Sequence, residues 1–152
     1  LSDKEDEKVV IYTDGGCRPN PGVGGWAAIL VYNGNEKEIF GGEPKTTNNR
    51  MELTAAVEAL SALKRRTSAI IHTDSEYLQK GITQWIKNWK KKNWRRREGP
   101  VKNADLWQKL DSLMDQHEVE WRWVRGHSGD YYNERCDELA TLAIERMKHG
   151  AE

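Results

Sequence analysis

The order of β-rich and helical stretches in the first half of the chain is its strongest constraint. Val9-Val10-Ile11-Tyr12-Thr13 is a short β-branched run, and Trp26 to Tyr32 and Lys37 to Gly41 read as two further strands. Asn33-Gly34 between the last two is a strong hairpin signal, so the three strands are expected to pair antiparallel in series. A helix is predicted from about Arg50 to Arg65, with Leu53, Ala56, Leu60 and Leu63 marking its apolar face and Thr46-Thr47-Asn48-Asn49 supplying N-caps. Ala69 to Thr73 then reads as a central strand. Strand, helix, strand in that order requires a right-handed crossover with the helix lying against a sheet.

The second half continues as mixed α/β. Short helices are predicted over Ser75 to Lys80 and Ile82 to about Lys92, then a helix from Asn103 to Met114. Glu118 to Val124 alternates Val119, Trp121 and Trp123 as a last strand, and a final helix runs from about Asn133 to Met147. No tandem repeat or internal linker interrupts the chain. Residues 8 to 149 are therefore expected to form one domain, preceded by a frayed charged head over residues 1 to 7. A chain of 152 residues can bury roughly two thirds of the surface its unfolded form exposes. It has no need of disulfides, and Cys17 and Cys136 have no metal-ligand spacing. With no long apolar run and no signal-like head, a soluble, reduced, cytoplasmic monomer is the expectation, although a start at Leu1 leaves the extent of the gene product open.

The 24 basic and 24 acidic side chains balance, so net charge does not point to a nucleic-acid partner. Their distribution does. Residues 87 to 102 carry Lys87, Lys90, Lys91, Lys92, Arg95, Arg96, Arg97 and Lys102 against the single acid Glu98. Such a local concentration suits a phosphate backbone, and a plain solvated helix face is the alternative. Trp85, Trp89 and Trp94 lie in the same stretch; Trp85 and Ile82 are as compatible with the core as with base stacking.

Four carboxylates stand out by position. Asp14 follows the first strand and Asp74 follows the central one, so both are expected at one edge of the sheet. Glu52 lies near the start of the first long helix on the side of Ala56, Ala59 and Leu63, and Asp137 sits between Cys136 and Ala140 on the last helix. Each alone reads equally well as a cap, turn or surface acid. Gathered together they would repel and raise one another's pKa, a conflict that magnesium resolves because it prefers oxygen ligands and keeps waters and phosphates. Two such ions about 4 Å apart can activate water and stabilise both the attacking and leaving oxygens of phosphodiester hydrolysis.

Several segments in order carry a family resemblance. Thr13 to Gly22 (Thr-Asp-Gly-Gly-Cys-Arg-Pro-Asn-Pro-Gly), Thr47 to Leu53, Thr73-Asp74-Ser75, Gly126-His127-Ser128-Gly129, Asn133-Glu134 and Asp137 to Ala140 together resemble bacterial type 1 ribonuclease H across nearly the whole chain. The resemblance implies a five-stranded mixed sheet in the order 3-2-1-4-5 flanked by helices. It also implies that Asp14, Glu52, Asp74 and Asp137 bind two magnesium ions with substrate, manganese being a substitute, for cleavage of the RNA strand of an RNA–DNA hybrid. It assigns His127 to proton shuttling or product departure and sets Glu134 near the substrate. Minor-groove and 2′-hydroxyl contacts fall to Asn20, Asn48 and Asn49, a DNA-phosphate pocket to Thr47 and Asn20, more weakly Arg50, and a hybrid-gripping basic protrusion over about 82 to 102 to residues including Lys87, Trp89, Lys90 and Lys91. Gly16 departs from the serine or alanine of many relatives, a small-for-small change. A related two-metal DNA nuclease or transposase core, and a noncatalytic hybrid-binding module, are the competing readings.

Overall fold

The computed structural model describes residues 8–125 and 130–150, which leaves the charged head and Gly126-His127-Ser128-Gly129 outside the described residues. Strands β1 (Val9–Arg18), β2 (Gly22–Tyr32) and β3 (Asn35–Thr46) form an antiparallel meander, and β4 (Ser68–Thr73) adds parallel to β1 after α1 (Asn48–Ser61). A two-residue ribbon, β5 (Arg95–Arg96) with β6 (Gly99–Pro100), stands apart. The last sheet strand, β7 (Glu118–Trp123), pairs parallel with β4, giving the order β3-β2-β1-β4-β7. This is the expected 3-2-1-4-5 arrangement, renumbered because the ribbon intervenes.

The meander strands are longer than the sequence suggests. β1 was expected to stop at Thr13, yet it continues through Asp14 to Arg18 by pairing with β2, Gly16 opposite Gly25 and Cys17 opposite Gly24. Glycines that look like turn signals here serve as strand residues: α1 lies against Gly15 and α5 against Gly25, leaving no room for a side chain at either. The hairpin behaves as predicted: Asn33 and Gly34 take positive φ of 52° and 82°, and Tyr32 pairs with Asn35.

Alternation along the strands builds two cores. Ile11, Ala28, Leu30, Ala69 and Ile71 face α1 and α4 (Ala104–Gln116), whereas Ala27 and Ile29 face Cys136, Leu139 and Ala140 of α5 (Tyr131–Gly150). Helix α1 is less one-sided than predicted. Ala55, Val57 and Ala59 are buried along with Leu53, Ala56 and Leu60, since α4 covers the helix on a second side. Helix α5 is tied to β3 by the exposed Arg135–Glu38 pair at 2.7 Å. That exposed pair is screened by solvent, whereas each large apolar side chain buried beneath the helix contributes roughly 1.5–3 kcal/mol, so packing holds α5 in place.

The two short helices expected after Ser75 are one continuous helical run. Helix α2 (Glu76–Lys80) passes through a π-helical turn, Gly81–Trp85, into α3 (Ile86–Lys91). The wide turn falls where a side chain on Gly81 would collide with the ring of buried Trp107. Trp85, Trp89 and Trp107 pack around Tyr77, whose hydroxyl accepts bonds from the Trp107 indole and the Asn103 amide, both at 3.0 Å. Among the described residues no helix is long and apolar enough to cross a membrane.

Two neighbouring glycines make a sharp test of this packing. A Cβ on Gly15 would meet the Met51 carbonyl carbon and lie 2.6 Å from the Glu52 nitrogen, whereas one on Gly16 would meet only Asn48 Oδ1 at 3.7 Å. Gly15→Ala is expected to cost at least about 1–3 kcal/mol and lower Tm by several degrees. Gly16→Ala is expected to leave Tm unchanged or slightly raised, because it restricts only the unfolded chain. Thermal denaturation of the two variants side by side checks the contrast.

Candidate active site

Glu52 owes its place to the start of α1. Thr47 caps the helix by accepting the Arg50 amide at 3.2 Å, and Asn20 reaches across from the β1–β2 turn to accept the Asn48 amide at 3.1 Å. Gly15 lets this first turn settle onto β1, which brings Glu52 beside the strand that carries Asp14. Parallel pairing of β1 with β4 ends at Tyr12–His72, so Asp14 and Asp74 both stand at the edge where β4 runs out. Gly25 performs the corresponding service for α5: a side chain there would strike the Ala140 carbonyl and Ala143, one turn along from Asp137.

The outcome is a single pocket of about 280 Å³ lined by Asp14, Glu52, Asp74 and Asp137, from β1, α1, the end of β4 and α5. A larger pocket of about 600 Å³ adjoins it through Asp74, bounded by Ser75, Trp123 and Arg125. Burial pushes the Glu52 carboxyl up to about 7; the neighbouring charges of Asp74 and Asp14 add to the rise, and a hydrogen bond with the Ser75 side chain opposes it. Burial also raises the Cys136 thiol, with Asp14 contributing, which makes this sulfur an inert packing group. Cys17 and Cys136 are both free and buried.

The donor set fits a hard cation. Four carboxylates face one polar pocket, a chemistry suited to magnesium or manganese more than to a soft metal. Among the described residues, however, no group of three or more His, Cys, Asp or Glu is gathered tightly enough to hold an ion.

Three contributors were not singled out from the sequence. Arg18 lines the acid pocket and approaches Thr141 Oγ1 at 3.5 Å, supplying a cation from the extension of β1. Ser75, 3% exposed, caps α2 by accepting the Leu78 amide at 3.1 Å while engaging Glu52. Gly15 was read as a turn glycine. Of these, Ser75 had a legible signal, since serine directly before a short helix is a recognisable cap.

The expected substrate residues spread over two regions. Asn20, Thr47, Asn48 and the exposed Asn49 cluster at the α1 start beside the pocket, which Asn48 lines. Arg50 is already held by Asp105, at 2.9 and 3.1 Å, and by Asn103 at 3.1 Å. Lys87 and Lys91 are exposed on α3, and Lys90 pairs with Asp111 at 3.2 Å. Trp89 is half-buried, its ring 5.4 Å from Trp107, and it also lines a pocket with Lys92, Arg95, Arg96 and Arg97. Glu134 is exposed in the first turn of α5, and His127 lies outside the described residues.

Comparisons with known proteins agree with this architecture. The RNase H family model matches residues 6–145. Ribonuclease HI of Pseudomonas aeruginosa is 57% identical over 148 residues, 97% of this chain and 99% of the relative, and ribonuclease H of Hahella chejuensis is 61% identical over 137 residues, 90% and 93% respectively. The crystal structure of LC9-RNase H1, a type 1 RNase H with the type 2 active-site motif, superposes with a TM-score of 0.83 at 34% identity, covering 96% of this chain and 76% of that one.

The raised Glu52 pKa carries a signed prediction for the protein in chelator. Between its ordinary 4.5 and about 7, the folded protein holds a proton that the unfolded chain has lost. That contribution to stability is fully present below the lower value and disappears as pH rises through the upper one. Wild type is therefore expected to lose stability relative to Glu52→Gln across this window and to run parallel to it above. Denaturant titrations at a series of pH values measure it; identical pH dependence in both proteins would contradict the burial of this carboxyl.

Proposed function

The chain belongs to the type 1 ribonuclease H family, and from that footing we propose that it hydrolyses the RNA strand of RNA–DNA hybrids endonucleolytically, leaving 3′-hydroxyl and 5′-phosphate ends. The observation that carries the reading is the convergence of Asp14, Glu52, Asp74 and Asp137 on one pocket from four separate elements. These four side chains would hold two divalent cations, magnesium or in its place manganese. When bound, such ions supply a water nucleophile at neutral pH and offset charge on the attacking and leaving oxygens.

The balance of the reaction is simple. The oxygen of water bonds to phosphorus as the bond from phosphorus to O3′ breaks; the water gives up a proton and O3′ takes one up. Glu52, with its carboxyl near 7, keeps a proton in part at neutral pH and releases it when a cation arrives. Ser75 keeps that carboxylate oriented from its own fixed position at the α2 cap. His127 is the proposed proton carrier.

Recognition divides between two surfaces. Asn20, Asn48 and Asn49, held by the caps of α1, offer short amides to the minor groove and the 2′-hydroxyl, and Asn20 and Thr47 border a phosphate site. Arg50 contributes indirectly while Asp105 holds it. Lys87, Lys90 and Lys91, with Trp89 behind them, present the protrusion over about 82 to 102 to the DNA strand, and Glu134 stands at the α5 start near the cut. Residues 8 to 149 act as one catalytic domain, monomeric and cytoplasmic in this proposal.

Cleavage of a uniform hybrid beside matched double-stranded DNA, double-stranded RNA and single-stranded RNA, with magnesium and with chelator, tests the function. Internal RNA cuts confined to the hybrid and abolished by chelator are expected. Asp14→Asn and Asp74→Asn should each lose at least about a hundredfold in rate with fold and hybrid binding kept. Equal cutting of DNA would favour a related nuclease, and binding without cleavage would favour a noncatalytic module.

A further inference from the structure

The largest cavity lies away from the carboxylates. A pocket of about 670 Å³ opens at the opposite edge of the sheet, where β1, β4 and β7 begin and β2 ends. Val9, in its wall, is five residues along β1 from Asp14, a distance of roughly 17 Å at strand rise. A ligand in this pocket would not touch the acid site.

We propose that this pocket, walled by Lys8, Arg65, Arg66 and Tyr32, binds a nucleotide, with the phosphates on the three cations and the base against the tyrosine ring. Its size falls within the roughly 300–1,000 Å³ typical of small-ligand sites. Arg66 is pinned: its Nη1 donates to the carbonyls of Asp115 and Gln116 at 3.4 and 3.2 Å, which leaves the rest of the guanidinium fixed and exposed. Arg65 makes no side-chain hydrogen bond or ion pair among the described residues, and Lys8 has only an exposed pair with Glu120 at 3.5 Å.

The opposing charge among the described residues is small. Glu118 is the one acid among the described wall residues, and its carboxylate already accepts the Ser68 hydroxyl at 2.9 Å. Lys8 is shared with Glu120, so the Arg65 and Arg66 guanidinium groups carry most of the attraction for a multiply charged anion, and such groups suit phosphate oxygens in particular. Tyr32 selects the nucleotide over a bare phosphate. It is 48% exposed, a large ring left open to solvent at the pocket wall, and an aromatic face beside cations is how proteins hold a base together with its phosphates.

The test uses the full chain in chelator, so that no divalent ion can carry a nucleotide to the carboxylates. Isotope-labelled protein is titrated with ADP and, separately, with pyrophosphate while amide shifts are followed. Saturable shifts centred on Lys8, Tyr32, Thr67 and Ser68 are expected for both. Arg65→Glu should weaken both ligands by about tenfold or more. Hybrid cleavage by that variant should stay within about twofold of wild type, since the sites are far apart. Tyr32→Ala should weaken ADP and leave pyrophosphate unchanged. Shifts centred on Asp14 and Glu52, an affinity unaffected by Arg65→Glu, or ADP binding indifferent to Tyr32→Ala would overturn the proposal.

Discussion

Convergence of four carboxylates on one pocket at the edge of a sheet is the constraint on which the rest of the site depends. Asp14, Glu52, Asp74 and Asp137 come from four elements, each fixed by packing that has nothing to do with charge. β1 and β4 are central strands, α1 is buried on two sides, and α5 is seated on Ala27 and Ile29. Burial pushes the Glu52 carboxyl up to about 7, and the neighbouring charges of Asp74 and Asp14 add to the rise.

Backbone proximity is the means. Gly15 under the first turn of α1 and Gly25 under α5 remove the side chains that would hold each helix off the sheet. Asn20 and Thr47 then close the Asn48 and Arg50 amides in the first turn of α1, so the helix bearing Glu52 starts at a defined point. The basic run on α3 and the β5–β6 ribbon is displaced from this edge by the aromatic packing of Trp85, Trp89 and Trp107, leaving its lysines and arginines to solvent. The four clustered acids and the basic run thus occupy separate parts of the molecule.

Much of this was legible in the residues. Alternation, β-branching and the Asn33-Gly34 hairpin located the strands of the main sheet, and the family resemblance implied the strand order that is observed. The extension of β1 to Arg18 was hidden because Gly15 and Gly16 read as a turn; their role depends on helices packed from other parts of the chain, which no local pattern records. The same holds for Ser75 and Arg18, whose places beside Glu52 and in the acid pocket are tertiary facts. Trp89 illustrates the reverse case, a residue read as a nucleic-acid contact whose ring is half committed to the core.

The central claim is that these four carboxylates share divalent cations. Anomalous diffraction from crystals grown with manganese and an RNA–DNA hybrid measures it directly. The account predicts anomalous density enclosed by Asp14, Glu52, Asp74 and Asp137. Density elsewhere on the surface, or none in this pocket at saturating manganese, would contradict it.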